Sequence, residues 1–139
     1  METSVRIIDQ PNKEQIRGAL ALLVTQSYWA KERTEEEMER IAAGSLNWVA
    51  VDHEGVVIGY ARVVTDRERF AYIADVIVDE TMRGQQVGAQ IMGEIMDLLQ
   101  GWRIQKVLLC TDTAHGFYEH YGFEVLPNPH RYMLANFRD

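Results

Sequence analysis

The stretch Tyr72-Ile-Ala-Asp-Val-Ile-Val-Asp-Glu-Thr-Met-Arg-Gly-Gln-Gln-Val-Gly-Ala-Gln-Ile-Met92 changes its hydrophobic period half-way along. Up to Val78 it is a run of apolar and β-branched residues, the composition of a strand. It breaks at Asp79-Glu80-Thr81, turns through Arg83 and Gly84, and resumes with apolar residues at helical spacing. The first amides of that helix have no partner inside it, and the helix dipole adds partial positive charge at the same place. A loop carrying Arg83, Gly84 and Gly88 at a helix start therefore reads as an anion site, with a phosphate as the natural occupant.

Working outward, the chain before this stretch predicts a strand over Val5–Ile8 and an amphipathic helix over Lys13–Trp29 with Ile16, Leu20, Leu23 and Val24 on one face. Thr34 with Glu37 forms a capping-box pattern for a second helix that Gly44 ends. Leu46–Val51 and Val56–Thr65 flank the polar loop Asp52-His53-Glu54-Gly55 as a hairpin, and Phe70–Val78 adds a third antiparallel strand. After the central loop, Val87, Ile91, Ile95 and Leu98 mark the buried face of a helix. Lys106–Thr111 reads as a strand covered on both faces, Ala114–Tyr121 as a short helix, and Phe123–Leu126 and Arg131–Ala135 as two last strands around Pro127-Asn128-Pro129. The expected class is α/β (α+β), a mixed sheet flanked by helices, in one domain spanning 1–139 with a right-handed parallel crossover from 70–78 to 106–111.

Bulk properties narrow the function classes. The 139 residues, 47% of them hydrophobic, are enough for one core. A net charge of −7 without a basic stripe argues against nucleic acid, and the negative field favours small cationic substrates. No segment has the length or flanks of a membrane span or a leader peptide. The one cysteine, Cys110, sits in an apolar run; it forms no internal disulfide, reads as a buried small hydrophobe, and suits a reducing cytoplasm. His53, His120 and His130 are scattered with no ligand spacing, so no metal is expected, and no nucleophile-elbow motif is present.

Two motifs carry a resemblance. Arg83-Gly84-Gln85-Gln86-Val87-Gly88 is similar to the acetyl-CoA loop of the GNAT acetyltransferase superfamily, R/Q-x-x-G-x-G/A. Thr111-Asp-Thr-Ala-His-Gly-Phe-Tyr-Glu-His-Tyr-Gly-Phe123 resembles that superfamily's late segment, N-x-x-A-x-x-F/L-Y-x-x-x-G-F. The resemblance implies a GNAT-like fold binding acetyl-CoA. The amides of Gly84, Gln85, Gln86, Val87, Gly88 and Ala89 would take the diphosphate with Arg83 beside them, and main-chain groups of Val76, Ile77 and Val78 would meet the pantetheine arm. Thr111 stands where the family often has Asn, and Gln86 where it usually has Gly; the helix start is expected to accommodate Gln86 at negative φ.

Tyr118 is, by the same resemblance, the general acid that faces the thioester sulfur, with Tyr121 its nearest competitor. Asp75, a carboxylate inside an apolar strand, must be paired or face a wet cleft. It is a candidate base or amine contact, or else a structural partner of Arg62 or Arg69. His115, near the start of the late helix, is a further candidate base. Tyr28, Trp29, Trp48 and Tyr60 are candidates to line an acceptor pocket, with core packing the commoner fate. The implied function is direct transfer of acetyl to a small primary amine in a ternary complex, without an acyl-enzyme. The alternatives are a non-catalytic acyl-CoA-binding or regulatory module, and a protein N-terminal or lysine acetyltransferase. A homodimer fits the resemblance, since such domains often pair through sheet edges or late strands.

Overall fold

The computed structural model describes residues 4–138, so the two ends of the expected 1–139 domain lie outside it. A five-stranded sheet runs in the order β1 (Arg6–Asp9), β2 (Leu46–Val51), β3 (Val57–Thr65), β4 (Phe70–Val78), β5 (Lys106–Leu109). All neighbours are antiparallel except β4 and β5, which are parallel, as a strand–helix–strand connection requires. Helices α1 (Lys13–Gln26) and α2 (Glu35–Ala43) cover one face, α3 (Val87–Gly101) covers the other, and the short α4 (His115–Glu119) follows β5.

The central strands are buried on both sides, and their alternation feeds two cores. On β2, Trp48 and Ala50 pack toward α3 while Val49 and Val51 pack toward α1. Close approach of the helices relies on missing side chains. A Cβ at Gly18 of α1 would lie 2.8 Å from Val57 Cγ2, and one at Gly59 of β3 would lie 3.0 Å from Ile91 Cδ1 of α3. On α3 the innermost positions are Val87, Ile91, Met92, Ile95 and Leu99; Leu98, expected there, is only half-buried.

Capping differs from expectation in an instructive way. Asn12 and Gln15 form the full reciprocal box at α1, with bonds of 2.8 and 2.9 Å. At α2 only one arm forms, Thr34 Oγ1 accepting from Glu37 N–H, because the Glu37 carboxylate accepts instead from Arg138 at 3.1 Å. Helix α1 also stops at Gln26 rather than Trp29, which frees residues 27–34 as a loop.

The largest correction is at the C-terminal end. Neither Phe123–Leu126 nor Arg131–Ala135 is a strand; a single turn of 3₁₀-helix at Pro129–Arg131 and irregular chain take their place. Strand formation needs a partner as well as composition, and among the described residues β5 keeps its outer edge unpaired. Met133, Leu134 and Phe137 are more than nine-tenths exposed in this tail. Cys110, just past the end of β5, is likewise exposed rather than buried.

Candidate active site

Strand β4 creates a cleft by leaving its neighbour. It pairs with β5 only from Phe70↔Lys106 to Ile73↔Leu109, and beyond Ile73 that edge of β4 has no ladder. The cause lies at Asp75, whose backbone is left-handed (φ +56°), beside a one-residue slip in register against β3 between Tyr60 and Arg62. Such a bulge bends the strand and reverses its parity. Ala71 and Ile73 face the α3 core ahead of it; beyond it Val76 and Val78 do so, while Ile77 enters the α1 core. The same turn swings the Asp75 carboxylate to the α1–α2 face.

The loop after β4 is fastened at its start. Asp79 accepts from the Thr81 amide and hydroxyl at 2.9 and 2.7 Å, and Gln26 ties α1 to it through Asp79 and the Glu80 amide. Gly84 (φ +83°) and Gln86 (φ +65°) are both left-handed. The expectation of negative φ at Gln86 is thus overturned: the chain enters α3 by a turn that glycine would adopt freely and that a side chain strains. The first main-chain bond of α3 runs from Gln90 N–H to Gln86 O at 3.0 Å, so the amides of Val87, Gly88 and Ala89 have no partner within the helix. They open on a cavity of about 450 Å³ whose walls include Val76, Ile77, Val78, Arg83, Gly84, Gln86 and Tyr118; Gln85 is not in its wall. Unpartnered amides, a guanidinium and a helix dipole form a donor set that fits a diphosphate.

A second cavity of about 750 Å³ shares Val76, Ile77, Val78, Arg83 and Tyr118 with the first and extends toward the α1–α2 loop. Asp75 dominates it. One carboxylate oxygen accepts from Trp29 Nε1 at 2.8 Å and Arg33 Nη2 at 3.4 Å; the other accepts from Arg33 Nη1 and Arg62 Nε, both at 2.7 Å. Its side chain is 4% exposed, those of Arg33 and Arg62 12% and 18%. Burial pushes the carboxyl up, but the hydrogen bonds and charges of the two arginines outweigh it and hold the group below the usual carboxylate range. Of the partners expected, Arg62 is present and Arg69 is not; Arg33 and Trp29 were not anticipated.

Tyr118 is buried in the wall common to both cavities, its ring held edge-on by Phe117 at 5.0 Å and Phe123 at 6.0 Å. Burial pushes its phenol up to about 12, so the proton stays on at any physiological pH. Its hydroxyl has no hydrogen-bond partner among the described residues and is open to solvent. Tyr121 is half-buried and directs its hydroxyl to Ala89 O at 3.4 Å. Thr111 lines the larger cavity and also accepts the Ala114 amide at 3.0 Å, so it shapes the entry to α4. His115 is exposed and belongs to neither of these cavities; it lines a third, of about 300 Å³, beside Phe123–Leu126.

Loop 27–34 closes the far side. Tyr28 donates to Asp112 at 2.7 Å, while Trp29 and Arg33 hold Asp75. Both aromatics are exposed, whereas Trp48 and Tyr60 are core residues. The exposed aromatic pair and arginine following the last apolar residues of α1 are the one sequence signal that points to this loop. Among the described residues no cluster of His, Cys, Asp and Glu could hold a metal ion, and no helix is long and apolar enough to cross a membrane.

This architecture matches known proteins over nearly its whole length. A putative GNAT-family acetyltransferase from Xanthomonas campestris superposes with a TM-score of 0.80 at 28% identity, covering 94% of this chain and 93% of its own. A GNAT-family protein of Streptococcus pneumoniae gives 0.76 at 23% identity, with 98% of each chain covered. An Escherichia coli GNAT-family N-acetyltransferase, solved in complex with CoA, gives 0.69 at 26% identity over 89% of this chain and 71% of its own. No curated protein matches. Residues 16–123 match the sequence profile of the Acetyltransferase (GNAT) family, and with this fold the chain belongs to that family and is a transferase.

Proposed function

We propose that this chain is a single N-acetyltransferase domain that passes acetyl from acetyl-CoA directly to a small primary amine. The observation that carries the reading is the position of Tyr118, a permanently protonated phenol in the wall shared by the two cavities. In this reading the smaller cavity holds the CoA moiety. The amides of residues 84–89 and Arg83 bind its diphosphate, and main-chain groups of Val76, Ile77 and Val78, on the edge of β4 that has no ladder to β5, bind the pantetheine arm. Acetyl-CoA supplies an activated acyl group when bound. The larger cavity, of about 750 Å³, has the size of a small-molecule site and takes the acceptor.

Tyr118 donates a hydrogen bond to the sulfur as negative charge collects there. The C–N bond forms as the C–S bond breaks: the amine nitrogen sheds one proton to solvent, the departing sulfur takes one through Tyr118, and Tyr118, whose phenol titrates at about 12, regains one from solvent. In this reading Asp75 holds the arginines rather than serving as the base, because its two oxygens already accept four hydrogen bonds and its carboxyl is held below the ordinary range. The amine therefore enters neutral or loses its proton to solvent, and no catalytic part is assigned to His115. Thr111 acts through the loop it caps. Acetyl-CoA-dependent thiol release across a panel of primary amines tests the reading. Release above the hydrolysis background in the presence of an amine supports it; CoA binding without release for every amine leaves a binding module instead.

We also infer that two copies pair through the outer edge of β5 and the exposed 132–137 tail, which offer an unpaired strand edge and unpaired apolar residues in one chain. Removing residues 131–138 is expected to convert a dimer to a monomer in light scattering; a wild-type monomer at tens of micromolar rules the pairing out.

A further inference from the structure

One charged cluster in the acceptor cavity runs against the charge of the chain. Over the whole sequence acidic residues prevail, with a net charge of −7. Of the charged side chains lining the cavity, Arg83 belongs to the diphosphate half, which leaves Arg33 and Arg62 with Asp75 and Asp112. Asp112 is engaged by the Tyr28 hydroxyl. Asp75 is one carboxylate between two guanidiniums, so the Arg33–Asp75–Arg62 cluster itself keeps one uncompensated positive charge.

That charge is also short of acceptors. Arg62 uses Nε on Asp75 and Nη1 on Ser45 Oγ at 3.3 Å; among the described residues its Nη2 has no partner. Arg33 spends Nη1 and Nη2 on Asp75, and among the described residues its Nε has no partner. Among the described residues no buried side-chain donor lacks a partner, so these unsatisfied donors are ones that reach solvent. Two guanidiniums fixed by a buried carboxylate, with spare donors in a cavity wall, are a preorganised receptor for a planar or tetrahedral oxyanion. Asp75 is then a positioning residue that holds both forks in place.

Resting on the transferase reading above, we propose that the acceptor is a primary amine that also carries an anionic group, a carboxylate or a phosphate monoester, and that Arg33 and Arg62 bind this group while the amine faces Tyr118. This is the opposite of the cationic acceptor that net charge alone favours.

The test is a set of matched acceptor pairs given to the wild-type protein with acetyl-CoA: amino acids against their amides, and aminosugar phosphates against the free aminosugars. The expected result is a kcat/KM higher by about 10- to 100-fold for the anionic member of at least one pair, the scale of one or two charge-assisted hydrogen bonds. Which pair responds identifies carboxylate or phosphate. In Arg62→Gln the preference should fall toward unity, and in Arg62→Lys it should be partly kept. Because the wild-type comparison needs no variant, misfolding of either variant leaves the test intact. Equal or better turnover of the neutral members overturns the proposal while the transferase reading stands. No thiol release from any amine overturns the transferase reading, and the proposal with it.

Discussion

The two halves of the cleft are built from different material. The half beside α3 is made of main chain: a splayed strand, left-handed turns at Gly84 and Gln86, and amides that the helix leaves unpaired. The half beside loop 27–34 is made of side chains, with Asp75, Arg33, Arg62 and Trp29 joined in one network. Main-chain recognition is indifferent to most substitutions, so the first half can keep one ligand through many sequences. Side-chain recognition changes with a single substitution, so a difference in ligand preference would arise in the second half.

If that contrast is right, substitutions in the two halves differ in size and in kind. The largest effect is expected from Asp75→Ala, which leaves two mostly buried arginines facing each other without their anion. Loss of about 3–5 kcal/mol in urea unfolding is the scale for removing one member of a buried ion pair. A loss under about 1 kcal/mol would mean the network carries little of the fold. Next is Tyr118→Phe, expected to lower turnover about 10²-fold, or about 2.7 kcal/mol in activation free energy, with the KM for acetyl-CoA little changed. Since the phenol keeps its proton until about pH 12, the rising limb of the pH–rate profile should report the acceptor amine and survive in the variant. Unchanged turnover would remove Tyr118 from the chemistry.

A smaller effect separates charge from packing. The Asp75 carboxyl titrates below its ordinary range in the folded chain, so its contribution is complete above about pH 4 and drains away as pH falls through the folded value. Unfolding free energies of wild type and Asp75→Asn should therefore differ at neutral pH and converge in acid; a constant gap would show that packing, not charge, is lost. The smallest effect belongs to the main-chain half. Gln86→Gly removes the left-handed strain, about 1–2 kcal/mol, but loosens the unfolded chain by about 0.4–1 kcal/mol, for a net gain between zero and about 1.6 kcal/mol in thermal unfolding. A destabilised Gln86→Gly would show that the side chain is held by contacts that offset its backbone.

What the sequence made legible follows the same division. Strand β4, the loop and α3 are contiguous, and the break in period at Asp79 with Gly84 and Gly88 marks them in one dimension. Arg33 lies 42 residues from Asp75 and Trp29 lies 46, and nothing local ties them together. The bulge was hidden for a different reason. A strand read by alternation puts Asp75 with Ala71 and Ile73 on the α3 face, and only the left-handed backbone at Asp75 breaks that count. At the C-terminal end, composition predicted strands at Phe123–Leu126 and Arg131–Ala135, but a ladder needs a second strand, which composition does not report.

The Trp29 indole has one more consequence. Its N–H is bound to the Asp75 carboxylate in the wall of the larger cavity, and the ring is partly exposed, whereas Trp48 is sealed in the core. The protein thus carries its own optical reporter. A ligand that draws on the arginines shifts charge beside Trp29 while Trp48 and Trp102, neither of which lines that cavity, supply the background, so emission excited at the tryptophan edge reads occupancy of the larger cavity without a label and without turnover.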